Sequence, residues 1–369
     1  MPYEKHVLPQ YPYVRDMWDS LSEESRPIVV YGMGNGADKL FLRFEEYGIK
    51  VADVFASDGF VRGHSFRGYK VKSFSDIREK YDDFVIVLSF ASNREEVLFM
   101  LSELDFRYDM YVPDMPVAGV DEYFDKDFYN ANYSEILKAY NALSDVDSQN
   151  CFSAVINYKL TGKMKYLMSA FSEKSEIYSL VGKRKIHAAI DAGAYRGDTA
   201  MEMVKYLKGV EKIYALEPDS RNFKKLKAYS EAESGTAIIP INAAAWCENT
   251  DGSFNSSGNR NSTVIATASF EHRADAVSLI TVDSLDTGKV DYIKYDVEGA
   301  EYEALLGSDK KIREYSPTLL VSLYHRSRDI FFLINYLNGK YPGYDFYLRR
   351  ERCLPAWEID FIMIKKDKI

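Results

Sequence analysis

The sequence predicts an α/β protein made of two parallel-sheet units joined by a helical segment. Three observations predict it. Residues 27–112 alternate β-branched runs with amphipathic stretches, residues 121–181 carry helical periodicity with few β-branched runs, and from about residue 185 the alternation resumes. Strands separated by helices give a parallel sheet with helices on both faces. The breaks divide the chain into 1–118, 119–182 and 183–369, in line with two or more domains for 369 residues.

Within the first unit, "PIVVYG" is a short strand ending in glycine, and "ADKLFLRFEEYG" is a helix with Leu40, Phe41, Phe44 and Tyr47 on one face and Gly48 at its C-terminal cap. "KVADVFASD" and "GYKVKSF" read as a second and a short third strand, "SDIREKY" as a helix and "DFVIVLSF" as a buried strand. Ser92 and Glu95 then form the Ser-x-x-Glu pattern of a capping box before the helix "EEVLFMLSEL". In the second unit the strands are "IHAAIDAG", "KIYALEP", "TAIIPINAAAW", "SLITVDSL", "VDYIKYDVEG" and "PTLLVSLYH". "YDFYLRR" and "EIDFIMIKK" follow as an edge hairpin. No fixed-period repeat is present, which excludes a solenoid.

The net charge of −9 argues against a nucleic-acid partner, which needs a basic face. No stretch approaches the roughly 20 apolar residues of a membrane span, and the N-terminus has no apolar core of signal-peptide length. Cys151, Cys247 and Cys353 are odd in number and far apart, so reduced thiols and a cytoplasmic location are expected. The 29 tyrosines and 21 phenylalanines suit core packing more than a ligand stack.

Two glycine turns compete for a nucleotide. The first, "YGMGNGA", has uncharged glycines at 32, 34 and 36, with Asp38 at the helix start and Asp58 as its one ribose-binding acid. The second, "DAGAYRGDTA", has Asp191 ending the strand, Gly193 and Gly197 in the turn, and Asp198 after it. Two acids beside a pyrophosphate repel it by on the order of 1 kcal/mol or more each. The same acids suit a phosphate-free nucleoside with positive charge, and S-adenosylmethionine fits. Glycines let its methionyl tail lie on the backbone, and acids take its ammonium group. Glu217 ends the next strand, where a doubly wound sheet hydrogen-bonds ribose hydroxyls.

In this order and spacing, "DAGAYRGDTA", "YALEPDSRNFKKL", "TVDSL" and "VDYIKYDVEGAEYEALLG" resemble the FkbM-type S-adenosylmethionine-dependent methyltransferases over about residues 185–350. The resemblance implies a class I methyltransferase fold, a Rossmann-like doubly wound sheet, and transfer to a hydroxyl oxygen, on acceptors that include sugars and secondary metabolites. The N-terminal unit resembles the small Rossmann-like domains at the front of sugar-modifying enzymes.

The cofactor residues expected from strand ends and turns are Asp191, Gly193, Ala194, Tyr195, Gly197, Asp198, Thr199, Glu217, Pro218, Asn242, Ala243 and Asp296, with S-adenosylhomocysteine as product. Small residues at 243 leave room for adenine. Methyl transfer is an in-line displacement helped by alignment and by a base on the acceptor hydroxyl. Asp296 is the leading candidate for that base, Glu298 the second, and His325, at the end of the next strand, can serve near neutral pH. Glu301 reads as a helix N-terminal acid. Lys294 reads as structural, facing away from Asp296. No flanking His or Asn completes a cage round these carboxylates, so no metal is expected. "NSSGNRNST" at 255–263 is a polar loop that can cover the site.

The expected activity is O-methylation of a sugar, nucleotide sugar or related polyhydroxyl small molecule; a homo-oligomer is compatible with the sequence. Two other readings stand beside it. One is a nucleotide-sugar or NAD-linked enzyme using the Gly32–Gly36 turn, and the other a binding module with a degenerate methyltransferase fold.

Overall fold

A computed structural model describes residues 5–367 except 58, 60, 62, 119–121, 256–262 and 266–274. Asp58 and most of the 255–263 loop lie outside the described residues.

After the short helix α1 (Met17–Ser22), strands β1 (Ile28–Tyr31), β2 (Val51–Phe55), β5 (Val85–Leu88) and β6 (Asp109–Tyr111) pair in parallel in the order β2-β1-β5-β6. The expected third strand is a small antiparallel hairpin, β3 (Ser65–Phe66) and β4 (Tyr69–Lys70), with a single bridge from Lys72 to Phe55. Helices α2 (Asn35–Glu46), α3 (Phe74–Lys80) and α4 (Glu95–Arg107) connect these strands. Gly48 follows the end of α2 at φ +66°, the left-handed residue that closes a helix, and Ile49 N–H donates to Phe44 at 2.9 Å.

The capping box expected at Ser92 is absent. Arg94 is the N-cap of α4, because the Ser92 backbone instead exchanges hydrogen bonds of 2.7 and 2.9 Å with Leu354. That pairing ties the N-terminal unit to the C-terminal segment. A capping box does occur at Ser73 and Asp76, before α3.

Four helices follow: α5 (Lys126–Ala142), α6 (Val146–Thr161), α7 (Met164–Met168) and α8 (Lys174–Val181). Most of α6 is buried, as its near-continuous apolar sequence "CFSAVINYKL" requires. Leu348 N–H donates to Ser148 Oγ at 2.9 Å, and Asn335 Nδ2 donates to the Glu135 carbonyl at 2.9 Å, so α5 and α6 lie against the C-terminal unit. One apolar core runs from Val29 and Ile86 through Phe152 and Ile156 to Ile190, Tyr295 and Phe361.

The C-terminal unit runs β7 (Ala188–Ala192), α9 (Asp198–Tyr206), β8 (Lys212–Leu216), α10 (Ser220–Ala232) and β9 (Ala237–Ile241). Then come β10 (Ala244–Ala245), β11 (Thr250–Asn255), β12 (Thr263–Ile265), β13 (Asp275–Ile280) and β14 (Tyr292–Tyr295). The chain ends with α11 (Glu301–Leu306), α12 (Asp309–Tyr315), β15 (Thr318–Ser322), α13 (Asp329–Lys340), β16 (Tyr344–Arg350) and β17 (Ile359–Lys365). Among the described residues, its main sheet has the order β16-β17-β15-β14-β7-β8-β9. Strands β9, β8, β7, β14 and β15 are parallel, and β17 enters antiparallel to β15 with β16 as the expected edge hairpin partner. Pro240 is tolerated in β9 because that strand is an edge. "SLITVDSL" supplies β13, which joins β10, β11 and β12 in a separate side sheet instead of the main one. This is a doubly wound α/β fold, with a smaller parallel α/β unit before it. Among the described residues no helix is long and apolar enough to cross a membrane, and the three cysteines form no disulfide with one another.

Candidate active site

A cavity of about 660 Å³ opens at the carboxyl ends of β7, β8 and β14. This is where an open parallel sheet places its ligands. From the expected set it is lined by Gly193, Tyr195, Asp198, Thr199, Glu217, Pro218, Ala243, Asp296 and Glu298. Acids outnumber bases along the wall, a sign that suits a cationic ligand better than a pyrophosphate.

The glycine turn is shaped by close approaches. Gly193 has φ +95°, and a Cβ there would lie 1.8 Å from the Asp296 carbonyl oxygen. Gly197, also at φ +95°, is the N-cap of α9, and a Cβ would meet the Tyr229 ring at 2.8 Å. Tyr195 adopts φ +49°, uncommon for a residue with a side chain. Its N–H donates to Glu217 Oε2 at 2.9 Å, while Asp219 N–H donates to Glu217 Oε1 at 2.8 Å. Glu217 thus links the turn after β7 to the turn after β8. The cap of α10 is Asp219, which accepts from the N–H groups of Arg221 and Asn222. Burial pushes the Glu217 carboxyl up to about 8, against the pull of its two N–H donors. Asn242 does not line the cavity. Its Nδ2 donates to the carbonyls of Glu217 and Pro218 at 2.8 and 3.2 Å, which presents Ala243 to the wall beside Ala244 and Ala245.

Asp191 and Ala194 are fully buried, and with Gly197 they lie behind the wall. Both Asp191 carboxylate oxygens are enclosed without a hydrogen-bond partner, and burial pushes the carboxyl up to about 7, with Lys294 opposing and Asp198 and Asp296 reinforcing. Asp191 therefore shapes the floor of the turn and does not face the cavity as the sequence reading placed it.

The other end of the cavity centres on Asp296, just beyond β14. Contrary to the reading of Lys294 as facing away, its Nζ lies 3.0 Å from Asp296 Oδ2. Residues two apart in extended chain share a face, which is why Lys294 and Asp296 meet. Tyr324 Oη donates to Asp296 Oδ1 at 3.1 Å. Burial disfavours the Asp296 carboxylate, but Lys294 and then His325 outweigh it and hold the group down to about 2.

His325 is fully buried, with Nδ1 2.9 Å from Glu301 Oε1 and Nε2 3.5 and 3.6 Å from Glu298 Oε2 and Asp296 Oδ1. Burial lowers its pKa, but Glu301, then Glu298 and Asp296, raise it to about 10. It is thus an imidazolium at neutral pH, and the expectation of a neutral-pH base fails because three carboxylates converge on the ring. Glu301 is 1% exposed, and its Oε1 accepts from Val297 N–H at 2.9 Å and Gly299 N–H at 3.4 Å. It is an internal organiser of the turn, more than a surface helix acid.

Sequence reasoning missed Tyr324, the Lys294 contact, and a third wall formed by Trp357, Glu358 and Asp360 from the C-terminal segment with Lys174 and Tyr178 of α8. The Tyr-His doublet at the end of β15 was the available signal for Tyr324.

The first glycine turn has its own setting. A Cβ at Gly36 would lie 2.2 Å from the Ser89 carbonyl oxygen, and one at Gly32, φ +111°, would lie 2.7 Å from Ser89 Oγ. Close packing on the end of β5 accounts for both glycines. A separate cavity of about 460 Å³ beside this turn is lined largely by apolar residues, among them Met33, Phe90 and Met115.

Comparison with known proteins places these features. Residues 191–346 match the family described as the methyltransferase FkbM domain. The crystal structure of a methyltransferase FkbM from Methylobacillus flagellatus KT superposes with a TM-score of 0.67 at 18% identity, over 97% of this chain and 94% of that one. The shared fold therefore includes the N-terminal unit and the helices. An rRNA methylase from Streptococcus thermophilus is similar at 11% identity, over 53% of this chain and 94% of that one, with a TM-score of 0.34. Fibrillarin from Aeropyrum pernix, with natively bound S-adenosylmethionine, is similar at 14% identity over 52% and 73%, with a TM-score of 0.32. No curated protein matches the chain. Residues 191–346 are thus similar to the methyltransferase FkbM domain, and the fold of nearly the whole chain is shared with the FkbM methyltransferase of Methylobacillus flagellatus KT.

Proposed function

We propose that the protein transfers a methyl group from S-adenosylmethionine to a hydroxyl of a sugar, nucleotide sugar or related polyhydroxyl small molecule. The observation that carries this reading is a single cavity with Glu217 at one end and an ionised Asp296 at the other.

The residues present fit the cofactor. The close-packed turn at Gly193–Tyr195 lets a ligand lie against backbone, Glu217 offers a buried carboxyl to ribose hydroxyls, and Ala243 to Ala245 leave a flat space for adenine. Asp198 and Thr199 lie at the start of α9 on the same wall. When bound, the cofactor supplies an electrophilic methyl group on a sulfonium. Everything else rests on the chain. Asp296, fixed by Lys294 and Tyr324, accepts the hydrogen bond of the acceptor hydroxyl and aligns its oxygen. Glu298, whose φ of +55° directs the turn, is the second carboxylate on this wall and the alternative proton acceptor. Imidazolium His325 helps hold Asp296 in its charged form.

The test is methyl-labelled S-adenosylmethionine with the purified chain and a panel of sugars and nucleotide sugars, products read by mass spectrometry and NMR. The expected result is a methyl ether whose formation falls at least about 100-fold in Asp296→Asn. Label arriving on nitrogen or carbon, or turnover indifferent to Asp296, overturns the reading.

A further inference from the structure

We infer that Asp296, Glu301 and His325 bind one divalent cation of the manganese or zinc kind, against the wall of the methyl-transfer cavity. Each offers a ligand atom, and those atoms all lie within 4.8 Å of one another. Asp296 and Glu301 flank the turn after β14, and His325 follows β15, the adjacent strand, so the sheet brings together a histidine and carboxylates that are distant in sequence. This histidine is the flanking ligand that the carboxylate spacing alone did not provide.

The second observation is independent of the clustering. His325 is fully buried, yet neither ring nitrogen has a hydrogen bond of acceptable alignment, and Glu301 Oε2 is also buried without a partner. Buried polar atoms are nearly always satisfied, and a carboxylate–imidazole pair lacking hydrogen-bond alignment suits a shared cation. Glu301 Oε1 is held by two backbone N–H groups, so the ligand is fixed before any ion arrives.

Charge points the same way. Asp296, Glu298 and Glu301 carry three carboxylates; Lys294 pairs with one of them, and an ion bound to the imidazole takes the place of the His325 proton. A divalent cation balances the remainder. One imidazole with carboxylate oxygens favours manganese, iron or zinc over magnesium. Resting on the proposed function, an ion beside Asp296 would polarise the acceptor hydroxyl and lower its pKa.

The full-length protein, stripped with chelator, is titrated with Mn²⁺ by calorimetry and examined by pulsed EPR. One Mn²⁺ per chain is expected, with nitrogen modulation from one imidazole that disappears in His325→Gln, and affinity at least about tenfold lower in Glu301→Gln. If His325→Gln does not fold, Asp296→Asn, on the cavity wall, supplies the affinity readout. Absence of saturable binding of Mn²⁺ and of Zn²⁺ by the folded wild type overturns the inference, as does binding unchanged in the folded variants. A parallel titration with S-adenosylhomocysteine separates the two readings: cofactor binding without metal binding removes only the cation site, and metal binding without cofactor binding removes only the methyl-transfer reading.

Discussion

The α-carbon of Gly193 faces the Asp296 carbonyl so closely that a Cβ would lie 1.8 Å from that oxygen. The cofactor turn and the acceptor carboxylate are thus two sides of one backbone contact, between the ends of neighbouring strands β7 and β14. Gly193→Ala must both move this contact and adopt φ +95° with a side chain. A loss of more than about 2 kcal/mol in chemical denaturation is expected, together with loss of S-adenosylhomocysteine binding.

Glu217 gives a pH-dependent signature. Its carboxyl stands at about 8 in the folded chain against an ordinary 4.5. Between those values the folded state keeps the proton that the unfolded chain has released. Stability from this group is therefore full below pH 4.5 and is lost as pH rises to about 8. Glu217→Gln should lose less stability than the wild type across that window in denaturant titrations at several pH values. Glu217→Ala should weaken S-adenosylhomocysteine up to about tenfold, the worth of a hydrogen bond between neutral groups.

Much of this site was legible in the sequence because a doubly wound sheet aligns its strand ends in a fixed order. Gly193, Glu217, Ala243 and Asp296 lie on different elements, yet each closes a strand or opens a turn, and all four line one cavity. What escaped depends on adjacency that spacing does not encode. The Glu301–His325 approach requires β14 and β15 to be neighbours, and Ser92 lost its capping place to a backbone partner more than 250 residues away. Asp191 was placed facing the ligand because it precedes the turn, but its position within β7 turns it into the core beside Lys294.

Lys294 and Asp296 test the electrostatics of the acceptor wall. Both are largely buried, 3.0 Å apart. Lys294→Met leaves Asp296 without its cation, and a cost of about 3–5 kcal/mol is expected. In Lys294→Met with Asp296→Asn, more than about 1 kcal/mol of that loss should return. Additive losses in the double-mutant cycle contradict the pairing.

The first glycine turn makes the opposite prediction. Because Gly36 packs on the Ser89 carbonyl, Gly36→Ala should lower the melting temperature while leaving S-adenosylhomocysteine affinity unchanged. A fall in affinity matching that of Glu217→Ala would place the cofactor at the wrong turn here.

Calorimetric titration of the intact chain with S-adenosylhomocysteine, with NAD as the comparison ligand, is the most direct measurement. The structure of the second turn predicts saturable binding of one S-adenosylhomocysteine per chain, weakened in Glu217→Ala, and no heat from NAD. Saturable NAD binding with none for S-adenosylhomocysteine would contradict it.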